Sequence, residues 1–141
     1  MNRLHLHHVH LFTKEIDQTV DWWVTHMGAD VAFDGIMAGS RNVFLRIGDG
    51  RLHLYDQRPK QYDRNAVHHV GIRVENLTQL VNRMISGGVE FPNRIRLFDG
   101  WSYCMCMAPD NLLLELFQID EQKLTGPLKD YFSDESHFGG E

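Results

Sequence analysis

The stretch HHVHLFTKEIDQTVDWWVTHMGADV (residues 7–31) opens with alternating apolar and polar positions. It passes through a polar segment and continues with Val20, Trp23, Val24 and Met27 at helical spacing. Strict alternation marks a half-buried strand, and a three-to-four-residue recurrence marks an amphipathic helix. The same order returns in HHVGIRVENLTQLVNRMISGGVEF (68–91), where Leu77, Leu80, Val81 and Met84 form the stripe and Asn76 is the expected N-cap. Gly28 and Gly87-Gly88 read as helix stops, each followed at once by apolar residues that start a new strand. Each half then closes with a hairpin. One is NVFLRIGDGRLHLYDQ (42–57), turning around Asp49-Gly50; the other is WSYCMCMAPDNLLLELFQ (101–118), turning around Pro109-Asp110-Asn111. The register holds throughout: His8 corresponds to His69, Gly28 to Gly88, and His53 to Glu115. The expected fold is α+β, built from two βαβββ modules. The modules span residues 1–57 and 67–118, with a linker at 58–66 and a polar tail at 119–141 that holds one short helix.

Alternation also sorts side chains between faces. His8 and His10 share a face with Leu6 and Phe12, leaving His5, His7, Val9 and Leu11 on the other. In the second module His69, Gly71 and Arg73 lie on the face that matches His8. His53 and Tyr55 point away from Leu52 and Leu54, as Glu115 and Phe117 do from Leu114 and Leu116. The apolar set, with Val9, Val70 and Ile72, is expected under the helices, and His8, His53, His69 and Glu115 on the concave side. A carboxylate inside LLLEL costs several kcal/mol when ionised unless something pairs with it. A divalent cation with imidazole co-ligands would meet that cost; so would a salt bridge to Arg46 or Arg73. Four equivalent strand positions carrying metal-capable side chains favour the metal.

Composition narrows the partners. Hydrophobic residues make up 43% and charged residues 23% of 141, enough for a real core. A net charge of −5 argues against nucleic acid and anionic membranes. No apolar run approaches the ~20 residues that span a bilayer. Cys104 and Cys106 lie two apart on one expected strand, unsuited to bridging each other, which points to a reducing cytoplasm. With Met105 and Met107 they are expected to pack rather than react.

The paired HHV strands, the helices ending in HMGADV and SGGVEF, and the terminal APDNLLLELFQ resemble the vicinal oxygen chelate superfamily, the glyoxalase/bleomycin-resistance/dioxygenase fold. The resemblance covers residues 4–118. It implies two βαβββ modules forming a curled mixed sheet around a metal-binding cavity, a divalent metal (Ni, Co, Mn, Zn or Fe(II)) held by His8, His53, His69 and Glu115, and a homodimer. Position 53 departs from the resembling subfamilies: glyoxalase I enzymes usually carry glutamate there and methylmalonyl-CoA epimerases glutamine, whereas extradiol dioxygenases use two histidines and one glutamate.

The function this implies is a metal-dependent lyase or isomerase of the glyoxalase or epimerase type, acting on a small oxygen-chelating substrate through a metal-bound enediolate. Glu115 is the candidate base and His10 the second. Tyr55, Arg73, Trp101 and Phe117 are candidate substrate contacts, while Arg41, Arg94 and Arg96 are expected on loops between strands. Two alternatives stand: an iron(II) ring-cleaving dioxygenase with His53 as a second-sphere acid or base, and a metal-free small-molecule-binding resistance protein.

Overall fold

A computed structural model of the protein describes residues 7–60, 67–126, 129 and 132. His5 and Leu6, much of the linker and most of the expected tail lie outside the described residues. The chain falls into two compact units. One runs to His68 and includes Ala108–Leu112; the other holds His69–Met107 and the chain from Leu113.

The first unit contains β1 (Val9–Thr13), α1 (Ile16–Met27), β2 (Asp30–Met37), β3 (Ser40–Ile47) and β4 (Gly50–Asp56). Its sheet has the order β1-β4-β3-β2, with β1 parallel to β4 and the remaining neighbours antiparallel. The second unit contains β5 (Val70–Arg73), α2 (Leu77–Ser86), β6 (Arg96–Phe98), β7 (Trp101–Ala108) and β8 (Leu112–Ile119). Its order is β5-β8-β7-β6, again with the first strand parallel to the last. The two sheets are separate and four-stranded, which is the βαβββ pattern twice over. No helix among the described residues is long and apolar enough to cross a membrane.

Local chemistry explains the helices. At the entry to α1 the hydroxyls of Thr13 and Thr19, both buried, hydrogen-bond each other at 2.6 Å. Gly28 ends the helix at φ 64°, a conformation that costs a residue with a Cβ about 1–2 kcal/mol. In α2 the Asn76 side chain accepts the Gln79 N–H at 3.0 Å, and Gln118 Oε1 accepts the Leu77 N–H at 2.8 Å. Two of the orphan amides that every helix start exposes are thereby satisfied.

Each unit buries one face of its sheet. Ile16, Trp23, Val43, Leu45, Leu52 and Leu54 form one core; Leu77, Val81, Met84, Cys104, Cys106, Leu114 and Leu116 form the other. Leu52, Leu54, Leu114 and Leu116 are where strand alternation puts them. On α1 the buried stripe is Ile16, Thr19 and Trp23, and Val24 is exposed instead, because the helix starts early enough for Ile16 to set the phase. Met107 also faces outward. The β3–β4 turn is made by Gly48-Asp49 rather than Asp49-Gly50: Ile47 pairs with Gly50, and Gly48 takes φ 55° at the first loop position. Arg41 and Arg96 lie within strands, not loops. The Arg41 guanidinium spans both Asp34 oxygens and reaches Asp17 of α1, each contact 2.8 Å, which ties helix to sheet and holds the Asp34 carboxyl below its ordinary range.

The β2–β3 turn holds Ala38 at φ 52° beside Gly39 at φ 81°. A two-residue hairpin loop of this kind favours Asn first and Gly second, and alanine pays for its Cβ. Ala38→Asn is therefore expected to raise unfolding stability by about 1 kcal/mol, read as a higher urea midpoint at unchanged slope.

Candidate functional site

The exposed faces of the two sheets carry the chemistry. In the first unit β1 and β4 run in register, His10 opposite His53 and Phe12 opposite Tyr55. The His10 and His53 rings stack at 4.1 Å and 21°. Phe44, opposite His53 on β3, closes the other side edge-on at 4.5 Å. His53 is thus held in an aromatic slot.

Its protonation is fixed by a residue the sequence did not single out. Asn42 is buried, and its amide nitrogen donates to the Met37 and Ser40 carbonyls at 2.9 Å. The Asn42 oxygen is therefore turned to His53, which donates from Nε2 at 2.5 Å. That leaves His53 Nδ1 as the lone-pair nitrogen, the one able to bind a metal or accept a proton. Burial, with the nearby His10 and His8 rings, lowers the His53 pKa. The His8 and His53 ring centres are 6.0 Å apart, and His8 Nδ1 meets His7 Nδ1 at 3.0 Å. When His8 is the donor in that contact, its Nε2 is the nitrogen left for a ligand role.

The second unit repeats the plan with one change. Val70 pairs with Leu114, Gly71 with Glu115 and Arg73 with Phe117. Gly71 stands where the first unit has His10, and the Phe117 ring lies against it, 3.3 Å from where a Cβ would sit. Glu115 Oε2 approaches His69 Nε2 at 3.5 Å, with the two side chains 27% and 34% exposed. Two donors bound to one ion at 2.0–2.2 Å and a tetrahedral angle lie ~3.4 Å apart. The pair thus fits a shared divalent cation in both donor type and spacing.

The proposed ligands come together as pairs, His8 with His53 and His69 with Glu115; among the described residues no three His, Cys, Asp or Glu side chains form a ligand cluster. The four candidate substrate contacts are placed as follows. Tyr55 lies beside His10 at 5.7 Å and donates to the Ala38 carbonyl. Trp101 stacks on Phe98 at 4.3 Å and lies beside Tyr103 at 5.5 Å, the three rings being nearly parallel and in mutual contact. Phe117 faces Phe132, and Arg73 is paired with Glu121. Cys104 and Cys106 are buried, and burial pushes both thiols up, Cys106 to about 11, so neither is a nucleophile near neutrality. An open cavity of about 560 Å³ in the first unit is lined by Lys14, Glu15, Trp22, Arg58 and Asp110, and none of the candidate residues borders it.

The family model of the Glyoxalase/Bleomycin resistance protein/Dioxygenase superfamily matches residues 5–116. No curated protein matches the chain in sequence. Among solved structures, a glyoxalase family protein from Enterococcus faecalis is 23% identical, with a TM-score of 0.66 over 80% of this chain and 96% of that one. The genomically encoded fosfomycin resistance protein FosX from Listeria monocytogenes is 20% identical in its hexagonal form, with a TM-score of 0.72 over 87% of this chain and all of that one. A FosX variant complexed with Mn(II) and 1S,2S-dihydroxypropylphosphonic acid is 22% identical, with a TM-score of 0.69 over 86% and 95% of the two chains. At these identities the likeness is one of fold.

The lowered His53 pKa sets a pH dependence. Between its folded midpoint and the ordinary 6.5 the unfolded chain binds more protons, so stability falls as pH drops through that window. In metal-free protein, NMR titration should place the His53 midpoint below 6.5. His10→Ala, which opens the slot and removes one neighbouring positive charge, should move it back up.

Proposed function

Because the chain belongs to the Glyoxalase/Bleomycin resistance protein/Dioxygenase superfamily, we propose that it is a divalent-metal-dependent lyase or isomerase of the glyoxalase or epimerase type, acting on a small substrate with two neighbouring oxygens. The observation that carries this reading is the His69–Glu115 pair, His69 standing just before β5 and Glu115 on β8, echoed by His8, just before β1, and His53 on β4. The proposed ligands are His8, His53 through Nδ1, His69 and Glu115, and the ion is one of Ni, Co, Mn, Zn or Fe(II). When bound, the ion supplies a Lewis acid that stabilises negative charge on the substrate's oxygens.

The protein's own residues supply the proton chemistry. Glu115 is partly exposed on an open face, and its carboxylate takes the proton from the carbon beside a carbonyl and returns it to the neighbouring atom. No electron acceptor is needed, because the transfer is redox-neutral. His10 holds the His53 ring by stacking and is the second base. Tyr55, Trp101, Arg73 and Phe117 are the proposed substrate contacts.

A second reading draws support from Asn42. With Nε2 committed to that residue, His53 suits a second-sphere acid or base, which leaves two histidines and one glutamate, the ligand count that serves iron(II) oxygenases. We also assign a homodimer, supported by the exposed apolar side chains of the outer strands: Phe33, Ile36 and Met37 on β2, Leu97 and Phe98 on β6. The proposed location is the cytoplasm, in keeping with two buried cysteines that are not bridged.

Metal titration of wild-type protein should give near one ion per chain. His69→Ala or Glu115→Gln should weaken binding by roughly a hundredfold or more, and His53→Ala by about ten- to a hundredfold. Unchanged affinity in His53→Ala assigns that residue to the outer sphere. An active protein indifferent to oxygen supports the lyase or isomerase; oxygen uptake and inactivation on iron oxidation support the dioxygenase. Failure to take up any of the five ions overturns both and leaves the binding-protein reading.

A further inference from the structure

The first hairpin sets two like charges side by side. Arg46 on β3 is the direct partner of Arg51 on β4, one step from the Gly48-Asp49 turn. Opposed residues share a face of the sheet, with Cβ atoms about 4.5–5.5 Å apart. Leu45 and Leu52, the next pair, are buried, so alternation assigns Arg46 and Arg51 to the open face with Phe44 and His53. His8 immediately precedes Val9, the partner of Leu52, which sets it in the same row beside Arg51. The two arginines therefore adjoin the His8–His53 pair, one side-chain step of about 7 Å along the face from His53.

Directly opposed like charges destabilise a sheet, and no carboxylate of the described residues relieves these. Arg46 makes no ion pair or side-chain hydrogen bond among the described residues, although Asp30 faces it from β2. Arg51 donates to the Asp49 backbone carbonyl of its own turn at 3.2 Å, a neutral partner. The repeat does not require the pair: the residue corresponding to Arg51, two before Glu115, is Leu113. Nor is the pair part of a generally basic surface, since the chain carries a net charge of −5. We propose that Arg46 and Arg51 together bind a tetrahedral dianion, the phosphate of a monoester or a phosphonate, as the charged group of the substrate held at His8 and His53. Two guanidinia match such a group in charge, and its three terminal oxygens offer a pair to each fork by sharing one. A carboxylate has oxygens for one fork alone. The substrate class is then a small phosphorylated or phosphonylated compound. The assignment rests on reading the His8–His53 face as part of the substrate site.

The test uses metal-free, full-length protein, so that anion binding is read independently of metal uptake. Methyl phosphate, methylphosphonate and acetate are titrated separately, the first two at a pH that keeps them dianionic. Arginine Nε–Hε NMR signals report each guanidinium, and calorimetry reports affinity. Methyl phosphate or methylphosphonate should shift the Arg46 and Arg51 signals along one saturation curve, at one anion per chain. The tighter of the two names the phosphorus group. Arg46→Gln and Arg51→Leu, the latter borrowing the residue of the second unit, should each weaken binding by about tenfold or more. Arg83→Gln, the same charge change on α2, should leave it within about twofold. Relief of the repulsion should keep the urea midpoint of both site variants at or above that of the wild type without anion. The proposal is overturned if either arginine signal stays still, if Arg83→Gln weakens binding as much as the site variants, or if acetate binds as tightly as the dianions. Anion binding in a protein that takes up no metal would keep the arginine site and remove the metal-dependent reading.

Discussion

In each unit the first strand lies parallel to the last, and much else follows from that pairing. Parallel neighbours cannot be joined by a tight turn; the chain must cross over, and here it does so through α1 or α2. The helix buries one face of its sheet, which takes Leu52, Leu54, Leu114 and Leu116 out of water. Alternation then leaves the other side chains of the same strands on the open face, directly opposite residues of the parallel neighbour. His10 meets His53, and Gly71 meets Glu115, as a consequence of how the core is made.

The two halves use that shared geometry differently. In the first, an imidazole at position 10 fills the space beside position 53, and His53 is stacked, edged by Phe44 and hydrogen-bonded to Asn42. In the second, glycine at position 71 makes room for the Phe117 ring, and the Glu115 carboxylate lies near His69. One half therefore has a rigid imidazole of fixed tautomer, and the other an accessible carboxylate–imidazole pair. Duplication supplied equivalent positions, and one residue, His10 or Gly71, decides what each can do.

The element order, the helix stops at Gly28 and Gly87 and the inward leucines were legible because they depend on periodicity, which a sequence displays directly. Of the four residues expected at one site, the structure brings together two pairs, His69 with Glu115 and His8 with His53. Asn42 was not legible: a polar residue on an alternating strand gives no sign that its amide bonds two carbonyls from the adjoining turn and so aims its oxygen at His53. Nor were the partners of Arg73 or Arg41, because side-chain ion pairs across distant segments leave no spacing signal. Val24 was misplaced because the stripe was phased from Val20 rather than from Ile16, one turn earlier.

The turn at Pro109–Asn111 interrupts the second βαβββ pattern, yet it belongs to the first compact unit, where Asp110 accepts the Lys14 backbone N–H across a separation of 96 residues. A protein made from its N-terminus therefore synthesises its first helix and four of its strands long before the last piece of that unit exists. Until Asp110 emerges from the ribosome, the end of β1 lacks a partner that its own half does not encode. Closing so long a loop is entropically slow, and it makes completion of the early half contingent on nearly the whole chain having been translated.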